Sequence, residues 1–280
     1  MKIGIINGAY KNPDGTKDYA KFKRHGFDCL DAGEMGNIKG EYYQMTEDEL
    51  KKALTEERKK VLDAGLEYSQ AHGPWPVDDS TPESRKEKMK YIKRSILGAS
   101  FLQAKYLVVH PTRIYDENWK EYPDMLDQNA EIYRELCEYG ANLGVGVCIE
   151  NMPFGPNFSL STVKQVLNFV ETYKIPNLSI CYDTGHAWLY GEKPADMVRL
   201  CGKHLTTLHV HDTDGVQDRH WLPFSGSIDW NGFGKALHEI GFDNALSIET
   251  CARDYTRYPA ELLEYYEIGL AKIAKALTEI

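Results

Sequence analysis

Short, mostly apolar runs alternate along this chain with longer stretches whose apolar residues recur at helical spacing. Runs such as 106–109 and 178–182 are rich in β-formers, which is typical of strands buried on both faces of a parallel sheet. The stretch 125–143 carries an apolar stripe with a period near that of a helix. A second stripe follows Thr46 and Glu49, which have the spacing of a capping box. The alternation indicates an α/β fold.

Strand–helix units follow one another eight times, and eight is the number that closes a parallel barrel. The length of 280 residues fits one such barrel better than two small domains. We therefore predict a (β/α)8 TIM barrel that occupies residues 1–280 as a single domain. The predicted strands are 2–6, 26–31, 66–71, 106–109, 145–149, 178–183, 205–210 and 245–248.

Six of these predicted strands end at a side chain that is able to bind a metal ion. The carboxyl ends of all barrel strands meet at one face, where the active sites of such barrels occur. Two glutamates, one aspartate and one histidine gathered there would offer a divalent cation mixed oxygen and nitrogen ligands. We expect one bound ion, with Mn²⁺ ahead of Mg²⁺, Co²⁺ and Zn²⁺. The six residues are His72, His110, Glu150, Asp183, His209 and Glu249, of which the last four are the predicted ligands.

Simpler roles compete for some of these residues. Asp183 precedes Thr184 and Gly185, so its carboxylate could cap the first turn of a helix. Glu150 and Glu249 each end an apolar run, where an unpaired charge would be costly. A bound cation explains both glutamates better than isolated burial does.

Further polar groups follow the same strands. Alternation along a strand sends His209 and His211 to opposite faces, so we expect only His209 to join the metal cluster. Glu34 follows the second strand and could line the site, and Trp75 lies in a proline-rich loop expected to cover the barrel mouth. Five residues form either a substrate-binding set or additional metal ligands: His72, His110, His186, Arg219 and His220.

Charge and composition narrow the function classes. The formal net charge of −9 argues against a nucleic-acid partner, because such binding depends on neutralising phosphates with Lys and Arg. No apolar run approaches the length of about 18 residues that a membrane span requires. The six cysteines form no C-x-x-C pair, and Met1 leads directly into a strand-like run with no apolar signal segment. We expect a cytoplasmic protein with reduced, buried thiols.

Six motifs together carry a family resemblance. They are Ile149-Glu150-Asn151, Asp183-Thr184-Gly185-His186, His209-Val210-His211-Asp212, Asp218-Arg219-His220, Gly226-Ser227-Ile228-Asp229-Trp230 and Ser247-Ile248-Glu249. In their order and spacing, the chain resembles the sugar phosphate isomerase/epimerase group of xylose isomerase-like barrels, which also includes endonuclease IV. The chain departs from that group at Pro223-Phe224-Ser225-Gly226, where relatives commonly have a Pro-Gly-x-Gly turn.

The resemblance implies that Glu150, Asp183, His209 and Glu249 hold one divalent ion and that His186 and Arg219 lie near the substrate. In the D-tagatose 3-epimerase branch, the two glutamates also exchange the substrate proton. The expected activity is therefore isomerisation or epimerisation of a ketose or keto-sugar through an enediolate, with Glu150 and Glu249 as proton carriers. The partner is a small sugar, and the oligomeric state stays open, a homo-oligomer included.

Three other readings stay open at this point. The same site could serve a keto-sugar or inosose dehydratase or lyase, in which a hydroxyl leaves instead of a proton returning. A barrel that only binds sugars is the least favoured, because buried paired carboxylates are expensive to keep without a task. The third is an endonuclease IV-like zinc phosphodiesterase, and the chain resembles that enzyme at His72, His110, Glu150, Asp183, His186, His209, Asp218, His220 and Glu249.

Overall fold

A ring of parallel strands surrounded by helices forms the architecture, as a computed structural model that describes residues 1–10, 16–115, 118, 120–155, 157–250 and 259–280 shows. Its single sheet has the order β7-β6-β5-β4-β3-β2-β1-β8, so the strands follow the chain around the ring. The predicted (β/α)8 TIM barrel is therefore confirmed. The strands are β1 (Lys2–Ile6), β2 (Cys29–Ala32), β3 (Glu67–His72), β4 (Tyr106–Val109), β5 (Gly146–Glu150), β6 (Leu178–Asp183), β7 (Leu205–His209) and β8 (Ala245–Ile248).

Helices connect the successive strands and cover the outside of the barrel. They are α1 (Tyr19–His25), α2 (Glu47–Asp63), α3 (Pro82–Leu102), α4 (Met125–Asn142), α5 (Val163–Tyr173), α6 (Thr184–Trp188), α7 (Pro194–Cys201), α8 (Trp230–Glu239) and α9 (Ala260–Glu279), with 3₁₀ turns at Glu41–Tyr43 and Gly202–His204. Among the described residues, no helix combines the length and apolarity needed to cross a bilayer.

The ring closes between β7 and β8 just beyond the end of β7. Val210 N donates to Ser247 O at 2.9 Å, and Glu249 N donates to Val210 O at 3.0 Å. These two bonds hold the chain beyond His209 against β8. The last residues of the two strands are thereby fixed side by side.

Alternation along the strands separates an outer apolar layer from the barrel interior. In β6, Ile180 and Tyr182 are buried in the core between the sheet and the helices. Cys181 packs instead with Val108 and Cys148 in a separate cluster. The same alternation brings the last inward position of each strand to the carboxyl end of the barrel.

Two predicted boundaries shift for local backbone reasons. The predicted second strand begins at Gly26, whereas β2 begins at Cys29, because Gly26 ends α1 in the left-handed conformation with φ of 107°. The sequence also predicts a long helix that starts near Ser80 and reaches about Ala104, whereas α3 ends at Leu102, because Gln103 takes a φ of 57°.

Buried thiols account for most of the cysteines. Five of them are free and buried, as expected, and burial raises the pKa of Cys148 to about 11. The sixth, Cys251, lies outside the described residues. Thiols with raised pKa values stay protonated and pack as small apolar side chains.

The predicted capping box at the start of α2 is present. Thr46 Oγ1 accepts a hydrogen bond from Glu49 N, and Glu49 Oε2 accepts one from Thr46 N. Replacing Thr46 with Ala should cost about 1 kcal/mol of unfolding free energy, because one helix N–H then loses its acceptor. Urea unfolding measures this loss. The matched control is Thr55→Ala, an exposed site inside α2, where Ala is the better helix former and no loss is expected. Equal losses in the two variants would contradict a role for the cap.

Candidate metal centre

Ionisable side chains stand at the carboxyl end of seven of the eight strands. The exception is β1, which ends at the apolar residue Ile6. The seven others, in strand order, are Asp31, His72, His110, Glu150, Asp183, His209 and Glu249. Six of these seven are the residues expected from the sequence.

The four predicted metal ligands come together. One ligand atom from each of Glu150, Asp183, His209 and Glu249 lies within 4.8 Å of all the others. His209 Nδ1 lies 2.8 Å from Glu150 Oε1 and 3.0 Å from Glu249 Oε2. Only Glu249 has appreciable exposure, with 21% of its side chain accessible, against 1% for Glu150.

Two carboxylate oxygens in this group test whether the residues suit a metal ion. Glu150 Oε2 and Glu249 Oε2 are buried and accept no hydrogen bond from the described residues. His110 Nε2 lies 2.9 Å from Glu150 Oε2, and His209 Nδ1 lies near Glu249 Oε2, but neither pair is aligned as a hydrogen bond. Buried charged oxygens left this way are costly, and a cation between the ligands would satisfy them. The donor set therefore fits a divalent ion.

Two further groups of ligand type adjoin the first. His72 and His110 lie with Glu150, so this glutamate belongs to two groups at once. The third group, His186, His211, Asp218 and His220, lies around the end of β6 and the loop after β7. Four of the five residues expected to bind substrate or additional metal, all except Arg219, are members of these groups.

Hydrogen bonds fix several of the imidazole rings through the nitrogen that faces away from the centre. His72 Nδ1 donates to Gly73 O at 2.7 Å, and His186 Nδ1 donates to Asn151 O at 2.9 Å. His220 Nδ1 donates to Glu249 O at 3.1 Å. Each Nε2 then turns a lone pair towards the cluster in the neutral tautomer. Metal-binding histidines are commonly oriented in this way.

His211 also lies at the site, but it belongs to the third ligand group, and of the two histidines only His209 belongs to the four-ligand group. β7 ends at His209, so the strict alternation assumed for His211 no longer applies. His211 Nε2 lies 3.0 Å from both carboxylate oxygens of Asp183. Thr184 Oγ1 accepts a bond from His211 N at 3.0 Å and lies 2.7 Å from His211 O. A Cβ on Gly185 would stand only 2.0 Å from His211 Cε1, so glycine makes room for the ring.

Asp183 takes both roles that the sequence suggested. It is the N-cap of α6, since Oδ1 accepts from His186 N at 2.7 Å. It also faces the four-ligand group. The Asn151 amide holds this strand end, because its Nδ2 donates to Asp183 O and its Oδ1 accepts from Asp183 N. Capping and metal binding therefore do not exclude each other here.

Carboxylates raise the pKa of two histidines in the third group. Burial lowers the pKa of His186, but the charge of Asp183 and the hydrogen bond to Asp218 outweigh it and raise the pKa to about 9. For His220, burial is likewise outweighed, chiefly by the hydrogen bond to Asp218 and the charge of Glu249, and the pKa rises to about 10. Both rings carry protons at neutral pH without an ion. Binding a cation there would release them.

His110 behaves in the opposite way. Burial lowers the pKa of His110 to about 4, and the nearby Glu150 carboxylate only partly offsets it. This ring is therefore neutral at physiological pH, which is the state in which imidazole binds a metal.

The loop between β7 and α8 carries Asp218 and His220, and Asp212 organises it. The buried Asp212 carboxylate accepts from Trp230 Nε1 at 2.8 Å and from the backbone of Thr213, Gly226 and Ile228. Four donors to one carboxylate make this the main brace of the loop.

Two residues expected at the site lie elsewhere. Arg219 Nε donates to Asp214 at 3.0 Å and its guanidinium lies over the Trp221 ring, outside the lining of the cavity. Glu34 also misses the cavity, because its Oε1 accepts from Asn7, Lys17 and Tyr68.

The departure from the family's turn motif lies at a backbone position of positive φ. Phe224 stands where relatives commonly have glycine and takes a φ of 70°, which glycine adopts without strain. Its ring is half-exposed and lies 6.3 Å from that of Trp230.

An open cavity of about 320 Å³ lies over the cluster. Its lining combines polar side chains, those of Glu150, Glu249 and the histidines, with the apolar residues Trp75, Met152, Pro153 and Phe154. The Trp75 ring lies 4.6 Å from that of His110, so the loop predicted to cover the mouth does form a wall. A ligand here would meet both polar and apolar groups, and the volume suits a small molecule.

Sequence reasoning missed Asp31 as well as His211. Asp31 lies at the end of its strand as the other site residues do, so the signal was present in the sequence, whereas Glu34 lies three residues further along and outside the cavity. His211 had a subtler signal, the glycine in Asp183-Thr184-Gly185-His186, which only the packing explains.

Replacing Gly185 with Ala should displace His211, because the new methyl group overlaps the ring. We expect a loss of about 1–3 kcal/mol in unfolding free energy, which is typical of overpacking in a core. Thermal unfolding measures the loss. The matched control is Gly269→Ala in α9, where a Cβ meets nothing within 4 Å and Ala should stabilise the helix. A Gly185→Ala variant as stable as wild type would show that His211 is not packed as described.

Known proteins share this architecture and parts of this sequence. A family model described as a xylose isomerase-like TIM barrel matches residues 19–275. The structure of a D-tagatose 3-epimerase-like protein superposes with a TM-score of 0.77 at 26% identity, covering 100% of this chain and 98% of the other.

Curated relatives differ in their named activities. An inosose isomerase of Bacillus licheniformis is 25% identical over 186 residues, 64% of this chain and 66% of the relative. A probable endonuclease 4 of Mycoplasmopsis pulmonis is 24% identical over 185 residues, 62% of this chain and 66% of the relative. Because the family model covers nearly the whole barrel, the chain belongs to the xylose isomerase-like TIM barrel family.

Proposed function

We propose that this protein is a divalent-metal-dependent isomerase or epimerase of a ketose or keto-sugar. The observation that carries the proposal is the pair of glutamates, Glu150 and Glu249, in one group with Asp183 and His209 beneath a cavity of sugar size. Membership of a family that includes sugar epimerases and isomerases supports it. The substrate is a small sugar rather than a polymer, because the cavity holds one small molecule.

Glu150, Asp183, His209 and Glu249 would hold the ion. When bound, a divalent ion there polarises the carbonyl and a neighbouring hydroxyl of a ketose as a Lewis acid. Three oxygen donors and one nitrogen suit Mn²⁺, and Mg²⁺, Co²⁺ or Zn²⁺ are the alternatives. We place the protein in the cytoplasm, where its five buried free thiols stay reduced.

The two glutamates are not equivalent. Glu249 is partly accessible from the cavity, so it can reach a substrate proton next to the carbonyl. Glu150 is buried, and its Oε2 lies between His110 Nε2 at 2.9 Å and His72 Nε2 at 3.5 Å. We assign proton removal to Glu249. In a two-base epimerisation, a protonated Glu150 donates a proton to the other face, and Glu249 keeps the proton that it removed.

The remaining cavity residues bind and shield the sugar. His72, His110, His186 and His220 offer ring nitrogens to its hydroxyl groups. Trp75 and Phe154 also line the cavity, where their rings reduce the access of water to the reacting carbons. A dry site preserves an enediolate long enough for the proton to return.

A zinc phosphodiesterase like endonuclease IV is the second candidate. One specific observation favours it. Three ligand groups are adjacent, two of them share Glu150, and together they could hold more than one ion. The relative named as a probable endonuclease 4 is in accord with it. The net charge of −9 opposes it, because DNA binding depends on a basic surface. We therefore rank it second.

Glu249→Gln should abolish proton exchange while leaving much of the metal in place. Gln keeps the size and a neutral oxygen donor but lacks the basic lone pair, so turnover should fall about 10²–10⁴-fold. The measurement is deuterium uptake from D₂O into D-fructose, D-tagatose and D-psicose, with metal content determined on the same samples. Glu150→Gln is the matched variant, and exchange that survives only there would indicate a single-base isomerisation. Full turnover in Glu249→Gln with metal bound would contradict the assigned role.

Metal stoichiometry separates the two candidate functions. We expect about one equivalent of metal per chain in protein purified without chelators, because three carboxylates and one histidine converge in the group of Glu150, Asp183, His209 and Glu249. We also expect no incision of duplex DNA that contains an abasic site. Elemental analysis and a gel assay with Zn²⁺-loaded and Mn²⁺-loaded protein check both. Three zinc ions per chain together with incision would favour the phosphodiesterase.

A further inference from the structure

Asp31 is a buried acid at a strand end that neither the ligand groups nor the proposed reaction uses. It ends the inward face of β2 and is buried, with 2% of its surface exposed. It belongs to none of the three ligand groups among the described residues. A buried carboxylate without a cation or a donor is costly, so the contacts of Asp31 must compensate its charge.

Asp31 contacts the edge of the His209 imidazole that faces away from the metal group. Asp31 Oδ2 lies 3.2 Å from His209 Nε2. The other ring nitrogen, Nδ1, lies 2.8 Å from Glu150 Oε1 and 3.0 Å from Glu249 Oε2. One imidazole therefore spans the distance between Asp31 and the proposed ligands.

A second contact holds Asp31 in place. Gln70 Nε2 donates to Asp31 Oδ2 at 2.8 Å and lies 3.3 Å from Leu208 O. Gln70 belongs to β3 and Leu208 to β7, so the amide joins Asp31 to the strand that carries His209. All of these groups are buried. The arrangement fixes Asp31 and His209 relative to each other across the barrel interior.

We propose that Asp31 is a positioning residue that sets the orientation and tautomer of His209 for metal binding. The carboxylate accepts the Nε2 proton, so the lone pair of Nδ1 points at the ion. The negative charge of Asp31 also makes the ring a stronger electron donor, as carboxylates behind metal-binding histidines do. This inference rests on the metal centre of the proposed function and not on its sugar chemistry.

The variants separate charge from shape. Asp31→Asn keeps the size and one acceptor oxygen but removes the charge, whereas Asp31→Leu removes the acceptor entirely. Gln70→Met keeps Asp31 and removes only the amide that holds it. Glu34→Gln is the matched control, because Glu34 is also a buried carboxylate that follows β2, and its hydrogen bonds involve no histidine.

Two measurements test the proposal. Calorimetric titration of the metal-free full-length chain with Mn²⁺ and Zn²⁺ gives the affinity, which we expect to fall by about 10-fold in Asp31→Asn and about 100-fold in Asp31→Leu. Gln70→Met should show a smaller loss, and Glu34→Gln none. In NMR spectra of the Zn²⁺-loaded protein, the Hε2 proton of His209 should move upfield and exchange faster with water in Asp31→Asn.

The outcomes decide between positioning and a purely structural role. A lower melting temperature with unchanged affinity and an unchanged His209 Hε2 signal would overturn the proposal. If the Asp31 variants fail to fold, Gln70→Met decides alone, and wild-type affinity there counts against the proposal. Weakened metal binding in a protein that exchanges no ketose proton would uphold Asp31 as a positioning residue while removing the proposed sugar chemistry.

Discussion

Electrostatic balance among the groups at the carboxyl end of the barrel is the constraint on which the site depends. Four carboxylates, those of Asp31, Glu150, Asp183 and Glu249, stand at strand ends within a few ångströms of one another or of the same histidine. Without compensating positive charge, the four carboxylates would repel one another, and their burial would be unfavourable. Histidine protons compensate part of the charge in the chain alone, and a divalent ion would do so more effectively. The fold therefore carries an electrostatic cost that binding relieves.

Hydrogen bonds elsewhere in the barrel hold these charged side chains in place against their mutual repulsion. Asn151 fastens the ends of β5 and β6 together, and Val210 joins β7 to β8. The Asp212 carboxylate gathers the loop that brings Asp218 and His220 over the cluster. Because most of these braces are hydrogen bonds to backbone groups, they constrain the positions of the ligands more than the identities of the ligands.

The sequence allowed the barrel and most of the cluster to be predicted, since both follow from local signals. A buried strand that closes on Glu150 or Asp183 is visible in the residues, and parallel topology then gathers the strand ends. The position of His211 in the neighbouring ligand group was not predicted, because strand alternation says nothing about the chain after the strand stops. Arg219 and Glu34 were placed at the site from order along the chain, whereas their partners Asp214 and Tyr68 draw them away. Those choices depend on contacts between distant segments, which spacing does not encode.

The sharing of Glu150 between two ligand groups has a thermodynamic consequence. Both groups include the Glu150 carboxylate. An ion bound in one group would therefore neutralise negative charge that would otherwise attract an ion to the other group. Occupancy of the two groups is therefore linked, and the coupling acts equally in both directions. A first ion lowers the affinity for a second unless the second is supplied with its own anion, such as a substrate phosphate or a hydroxide. The number of ions held by barrels of this kind would then be set by the ligand in the cavity as much as by the side chains beneath it.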